Sequence, residues 1–127
     1  MRMRVALLLA VAAAPAPLRA EGARLEMTCD IVSRCQALGP CAAATGALRF
    51  AVEPEALDRH GSGDYSIWVD DSPGRPARGL ARTGPFNWTD AEGAHQSLAL
   101  TGPQSALRIR QGDGGAEMDL MRCEVLY

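Results

Sequence analysis

The stretch Leu107-Arg108-Ile109-Arg110-Gln111-Gly112-Asp113-Gly114-Gly115-Ala116-Glu117-Met118-Asp119-Leu120-Met121 decides the fold class. Leu107 and Ile109 alternate with Arg108 and Arg110, the period-two rhythm of a half-buried strand. The cluster Gln111-Gly112-Asp113-Gly114-Gly115 then leads into a second strand-like run from Glu117 to Tyr127. An Asp-Gly step between two such runs is a strong hairpin signal, because tight hairpin turns need positive φ, which Gly and Asp tolerate best.

The same rhythm recurs upstream. Leu25, Met27, Cys29 and Ile31 alternate with Glu26, Thr28 and Asp30, and Leu48, Phe50 and Val52 alternate up to Pro54. Tyr65, Ile67 and Val69 alternate with Ser66, Trp68 and Asp70, before the turn cluster Asp71-Ser72-Pro73-Gly74. Arg78 to Arg82 is a weaker strand, Phe86 to Thr89 a short aromatic one, and Gln96 to Thr101 carries Leu98 and Leu100 on one face. Only Pro54 to Arg59 and Ser33 to Leu38 leave room for a helical turn or two. About eight short strands with regular turn punctuation predict an all-β fold. A small closed antiparallel barrel is the first architecture and a two-sheet β-sandwich the alternative, with residues 21–127 as a single β domain.

All four cysteines, Cys29, Cys35, Cys41 and Cys123, lie in that domain. Their five-residue gaps fit neither a C-x-x-C redox pair nor the short ligand spacing of structural zinc, so two disulfides are expected. Of three connectivities, Cys29 to Cys123 with Cys35 to Cys41 is favoured. The first bond would tie the first strand to the last, as closure of a barrel requires, and the second would bracket a Gly39-Pro40 turn. Loop-closure entropy makes the long bond worth about 4.7 kcal/mol and the short one roughly 2.4 kcal/mol.

Met1-Arg2-Met3-Arg4, the apolar run Val5 to Ala14 and the small, Pro-rich segment ending at Ala20 form the three zones of a secretory signal peptide over residues 1–20. The apolar run is half the length of a membrane span, so no membrane span is expected. Of the 13 basic residues three fall in the leader, leaving ten against 15 acidic ones, a balance that disfavours nucleic acid as a partner. With no Lys and abundant Ala, the composition is that of GC-rich coding, and the expected location is periplasmic or extracellular in a bacterium. Asn87-Trp88-Thr89 matches the glycosylation acceptor pattern but reads as strand.

Thr28-Cys29-Asp30, the even spacing to Cys35 and Cys41, and the closing Arg122-Cys123-Glu124 resemble uncharacterised small exported proteins of alphaproteobacteria. That resemblance implies export and disulfides but no activity. In outline the chain is also similar to the small barrels of the periplasmic inhibitors of c-type lysozyme, where an early and a late Cys tie the ends together. Gly61-Ser62-Gly63-Asp64-Tyr65 lacks the spacing of the inhibitors' S-G-x-x-Y loop, so no residue role is carried over.

No catalytic motif stands out. His60 and His95 have no partner at helical spacing, and a triad assembled from His95, Asp90 and a serine has no G-x-S-x-G elbow behind it. Asp70-Asp71 and Asp90 with Glu92 offer oxygen ligands, but acidic pairs beside Gly and Pro are ordinary turn chemistry, so neither metal nor cofactor is expected. The candidate binding residues are Trp68, on the polar face of its strand, Trp88, and Arg78 and Arg82, which with Arg75 surround a Pro/Gly segment as a basic loop. The reading is a non-catalytic exported binding or inhibitory module, acting through a barrel mouth or an aromatic patch on an envelope protein or small ligand. The alternatives are a small envelope hydrolase and a structural or assembly factor for a larger envelope protein.

Overall fold

The computed structural model describes residues 24–126, so the expected leader and the cleavage expected after Ala20 lie outside the described residues. Nine strands follow in order: β1 (Leu25–Gln36), β2 (Cys41–Ala43), β3 (Ala47–Leu57), β4 (Gly63–Val69), β5 (Arg75–Gly79), β6 (Phe86–Thr89), β7 (His95–Gly102), β8 (Ser105–Gly112) and β9 (Gly115–Leu126). All pairings are antiparallel, and from β3 to β9 each strand pairs with the next. β1 joins β3 on one side and β9 on the other, which closes eight strands into a barrel. β2 is an extra three-residue strand on the last part of β1, opposite Ser33 to Cys35. The hairpin at Asp113-Gly114 is present, with Gly112 opposite Gly115.

Neither stretch with room for a helical turn is helical: Ser33 to Gln36 end β1 and Pro54 to Leu57 end β3. Pro54 is tolerated because it lies beside a bulge and beyond Val52, the last β3 residue that pairs with β1. The weak strand expected at Arg78 to Arg82 lies instead at Arg75–Gly79, between its Pro/Gly flanks.

Cys29 faces Cys123 in register and Cys35 faces Cys41, and both pairs are disulfides. The first spans 94 residues and locks the closing β1–β9 seam covalently. Two disulfides are consistent with an oxidising, exported location.

Side-chain phase along the strands decides what the barrel contains. In the first part of β1, Met27, Cys29 and Ile31 point inward and are buried. Ile31 pairs with Met121 but Ser33 pairs with Leu120, so Val32 is a one-residue bulge, 46% exposed. Beyond it the phase is inverted, and Arg34 now lies opposite the buried Asp119. β8 also runs against hydrophobicity. Ala106, Arg108 and Arg110 share the inner face, while Leu107 and Ile109 lie outward in register with Leu120 and Met118.

The interior is therefore divided. At the end carrying the β3–β4 and β5–β6 turns it is filled by Tyr65, Phe86 and Leu98, with the Tyr65 and Phe86 rings edge to face at 4.9 Å. Gly79 is required there, because a Cβ would come within 2.5 Å of the Tyr65 ring. At the opposite end, where the β6–β7 turn and the β8–β9 hairpin lie, the inward side chains become polar.

Candidate functional site

The polar end is a mouth built from successive rungs of the sheet. One rung sets Phe86 beside Leu98, Leu98 beside Arg108, Arg108 beside Asp119 and Asp119 beside Arg34. The next places Trp88 beside Gln96, Gln96 beside Arg110, and Arg110 beside Glu117. Each rung thus begins apolar on β6 and turns ionic by β8. The rungs line a cavity of about 520 Å³, a volume typical of small-ligand pockets, with Ile67, Val69 and Trp88 as its apolar wall and Arg75, Arg108 and Arg110 among its charged residues.

Asp119 is the ionic keystone of the mouth, 1% exposed. Arg34 donates to both of its oxygens, from Nε at 2.7 Å and Nη2 at 3.2 Å, and Arg108 Nη2 donates to Oδ2 at 2.7 Å. Burial pushes its pKa up, but the hydrogen bonds and charges of the two guanidinium groups outweigh that and hold it below the ordinary carboxylate range. Asp90 does the same work at the rim. Its Oδ1 accepts the Glu92 and Ala94 N–H groups at 3.0 and 2.9 Å, and its Oδ2 accepts Gln96 Nε2 at 2.8 Å and Arg110 Nε at 3.2 Å. Burial again pushes upward, and these bonds outweigh it to bring the pKa down to about 2. Both groups are thus held as carboxylates at neutral pH.

Two polar groups of the cavity are left over. Gln96 is 8% exposed and gives its amide N–H to Asp90, while its Oε1 is buried and has no hydrogen-bond partner among the described residues. Arg75 stands in register with the inward Ile67 and forms no ion pair among the described residues.

The four residues singled out from the sequence do not come together. Trp88 is buried in the mouth wall. Trp68 lies on the outer face, half-buried under the Arg24 guanidinium at 4.3 Å and packed against Gly74, in a groove of about 260 Å³. Arg78 is on the outer face in an exposed ion pair with Asp64 at 2.7 Å, and Arg82 lies in the β5–β6 turn at the closed end, against Gly61. The expected basic loop of Arg75, Arg78 and Arg82 is not formed, because Arg75 and Arg78 sit on opposite faces of β5. His95 is exposed on the outer face near Thr89, turned away from the carboxylates of the mouth.

Gln96, Arg108, Arg110, Glu117 and Asp119 were missed by sequence reasoning. For the last four the signal was the hairpin itself. A two-residue turn at Asp113-Gly114 sets Arg110 opposite Glu117 and Arg108 opposite Asp119, two cross-strand pairs of opposite charge.

The fold and site together define a small closed up-and-down β-barrel with an ionic mouth at one end and an aromatic plug at the other. No family model, curated protein or solved structure matches the chain, so the roles of its residues rest on their geometry.

Proposed function

We propose that the chain is a non-catalytic, exported binding module of the bacterial envelope that takes a small ligand into the mouth of its barrel. The observation that carries this reading is the pair of leftover polar groups, Gln96 Oε1 and Arg75, in a concave cavity with Trp88 in its wall. A buried acceptor without a donor costs about 1–3 kcal/mol, a cost that a ligand N–H or O–H removes. The leader over residues 1–20 and the two disulfides support export. The hydrolase alternative draws no support from Asp90 or Asp119 as a proton-exchanging acid, because hydrogen bonds and guanidinium groups hold both ionised.

The two tryptophans make the test direct. In a Trp68→Phe variant the emission comes from Trp88 alone, and the small-molecule fraction of the host's envelope should change it in a saturable way. A response confined to Trp68, seen in the complementary Trp88→Phe variant, would move the site to the outer groove and overturn the mouth.

One observation favours a second reading, an assembly factor for a larger envelope protein. Leu107, Ile109, Met118 and Leu120 make an outward apolar strip on β8 and β9, with Leu120 42% exposed. Under that reading, Leu120→Glu abolishes a stable complex and leaves the Trp88 response intact.

A further inference from the structure

The leftover groups of the mouth specify more than the presence of a ligand. Arg75 offers a cation with a planar fork of donors, which suits a carboxylate, and Arg75 is not committed to any carboxylate of the described residues. The other mouth arginines are committed: Arg34 and Arg108 to Asp119, and Arg110 to Asp90. Glu117 lies 3.9 Å from Arg34 on β9, four strands around the ring from β5 and so on the opposite wall from Arg75. Gln96 offers the reverse chemistry, a buried acceptor that needs a donor. β5 and β7 are separated only by β6, and Arg75 and Gln96 line the same cavity. Arg75 and Gln96 thus present a donor fork and an acceptor to one cavity, the complement of a ligand that carries both a carboxylate and an N–H. Beside them, Trp88, Ile67 and Val69 supply an apolar wall.

We propose that the mouth binds a small N-acylated amino-carboxylate, with the carboxylate on Arg75, the amide N–H on Gln96 Oε1 and the acyl group against Trp88, Ile67 and Val69. This rests on the reading of the mouth as the binding site. The chemistry discriminates sharply: a ligand lacking the N–H leaves Oε1 unpaired, and a ligand lacking the anion leaves Arg75 unpaired.

The test uses the disulfide-bonded exported chain carrying Trp68→Phe, with Trp88 emission as the signal. Three probes of one shape are titrated: hippurate, its ester analogue O-benzoylglycolate, in which oxygen replaces N–H, and hippuramide, in which an amide replaces the carboxylate. Saturable binding of hippurate, with each analogue weaker by about tenfold or more, is the expected result. Arg75→Gln should then erase the advantage over hippuramide alone, and Gln96→Met the advantage over the ester alone. The probe series on the otherwise unchanged chain decides the matter even if a variant misfolds. Equal binding of the three probes overturns the proposal. Absence of hippurate binding overturns it too: the mouth reading survives if the envelope fraction still changes Trp88 emission, and falls with it if that fraction is also silent.

Discussion

Two turns at opposite ends of the barrel are built on one plan and put to different uses. In Asp58-Arg59-His60-Gly61-Ser62 and Asp90-Ala91-Glu92-Gly93-Ala94, the Asp N–H donates to the carbonyl of the fifth residue at 2.9 Å. In each, the Gly N–H returns to the Asp carbonyl at 3.1 Å, and the glycine φ is 84°. One carboxylate oxygen accepts the N–H groups of the third and fifth residues, at 2.8 and 3.0 Å for Asp58 and at 3.0 and 2.9 Å for Asp90. The second oxygen makes the difference. Oδ2 of Asp90 holds Gln96 and Arg110, whereas Asp58 draws no side chain of the described residues. Over the Asp58 turn the Tyr65 hydroxyl donates to the Gly61 carbonyl, and aromatic rings fill the space beneath. The same local chemistry fixes both loops, and the neighbouring rungs decide whether a loop seals the barrel or furnishes its mouth.

The heaviest blow to that contrast falls on the buried charge of the mouth. Asp119→Ala strips the counter-ion from Arg108, whose side chain is 11% exposed, and should cost about 3–5 kcal/mol in chemical denaturation. Asp64→Ala, which removes the exposed partner of Arg78, should cost less than about 1 kcal/mol. Similar losses for the two would show that the mouth does not depend on buried charge.

Acid separates the two turns next. The pKa of Asp90 in the fold is depressed to about 2, below the unfolded value, so its contribution is complete above that unfolded value and is lost as pH falls toward 2. The shift is worth roughly 2 kcal/mol. Asp58 is shifted in the same direction, chiefly by the Ser62 and His60 N–H groups, but it is open to solvent. Stability measured from about pH 5 to about pH 2 should fall less steeply in Asp90→Asn than in the parent chain, with a smaller flattening in Asp58→Asn. Equal flattening would erase the distinction between the turns.

The finest probe is alanine at the matched glycines. At Gly93 a Cβ meets nothing within 4 Å, so Gly93→Ala should cost only the left-handed backbone penalty of about 1 kcal/mol. At Gly61 the added carbon would come within 2.6 Å of Arg82 Cγ and 3.1 Å of its backbone N, so Gly61→Ala should lower the melting temperature further. A Gly93→Ala loss as large as that at Gly61 would mean that the β6–β7 turn is packed more tightly than its geometry indicates.

Strand rhythm and turn chemistry are local, and they were legible. The hairpin at Asp113-Gly114, the short aromatic strand Phe86–Thr89 and the outward side of Trp68 all follow from neighbours within a few residues. The seam was legible because Cys29 and Cys123 each fell in a strand near one end of the domain. Phase was not legible in β8. An alternating Leu/Arg run has two ways to face, and hydrophobicity favours the one that the barrel rejects. Leu107 and Ile109 go out because Arg108 meets Asp119 and Arg110 meets Asp90 within, a choice that depends on β9 and the β6–β7 turn as much as on β8. The cover over Trp68 was hidden for a similar reason, since Arg24, just before β1, reaches it across the intervening β3. Arg75 and Arg78 looked like members of one loop, yet three residues along a strand puts two side chains on opposite faces.

The bulge at Val32 acts on this barrel as a one-letter insertion acts on a reading frame. Upstream of it β1 spells an oily interior, and downstream the same alternation is read one place out of step, which carries Arg34 inside to Asp119 and turns Cys35 toward Cys41. Deleting Val32 would remove the bulge yet keep Ser33 opposite Leu120 and Arg34 inside against Asp119. Flattening the bulge with Val32 retained would instead set Ser33 opposite Asp119 and turn Arg34 to solvent, leaving Asp119 with Arg108 alone. The boundary between plug and mouth is therefore set on this strand by where the one-residue bulge falls, and shifting the bulge along an unchanged sequence would change which side chains line the pocket.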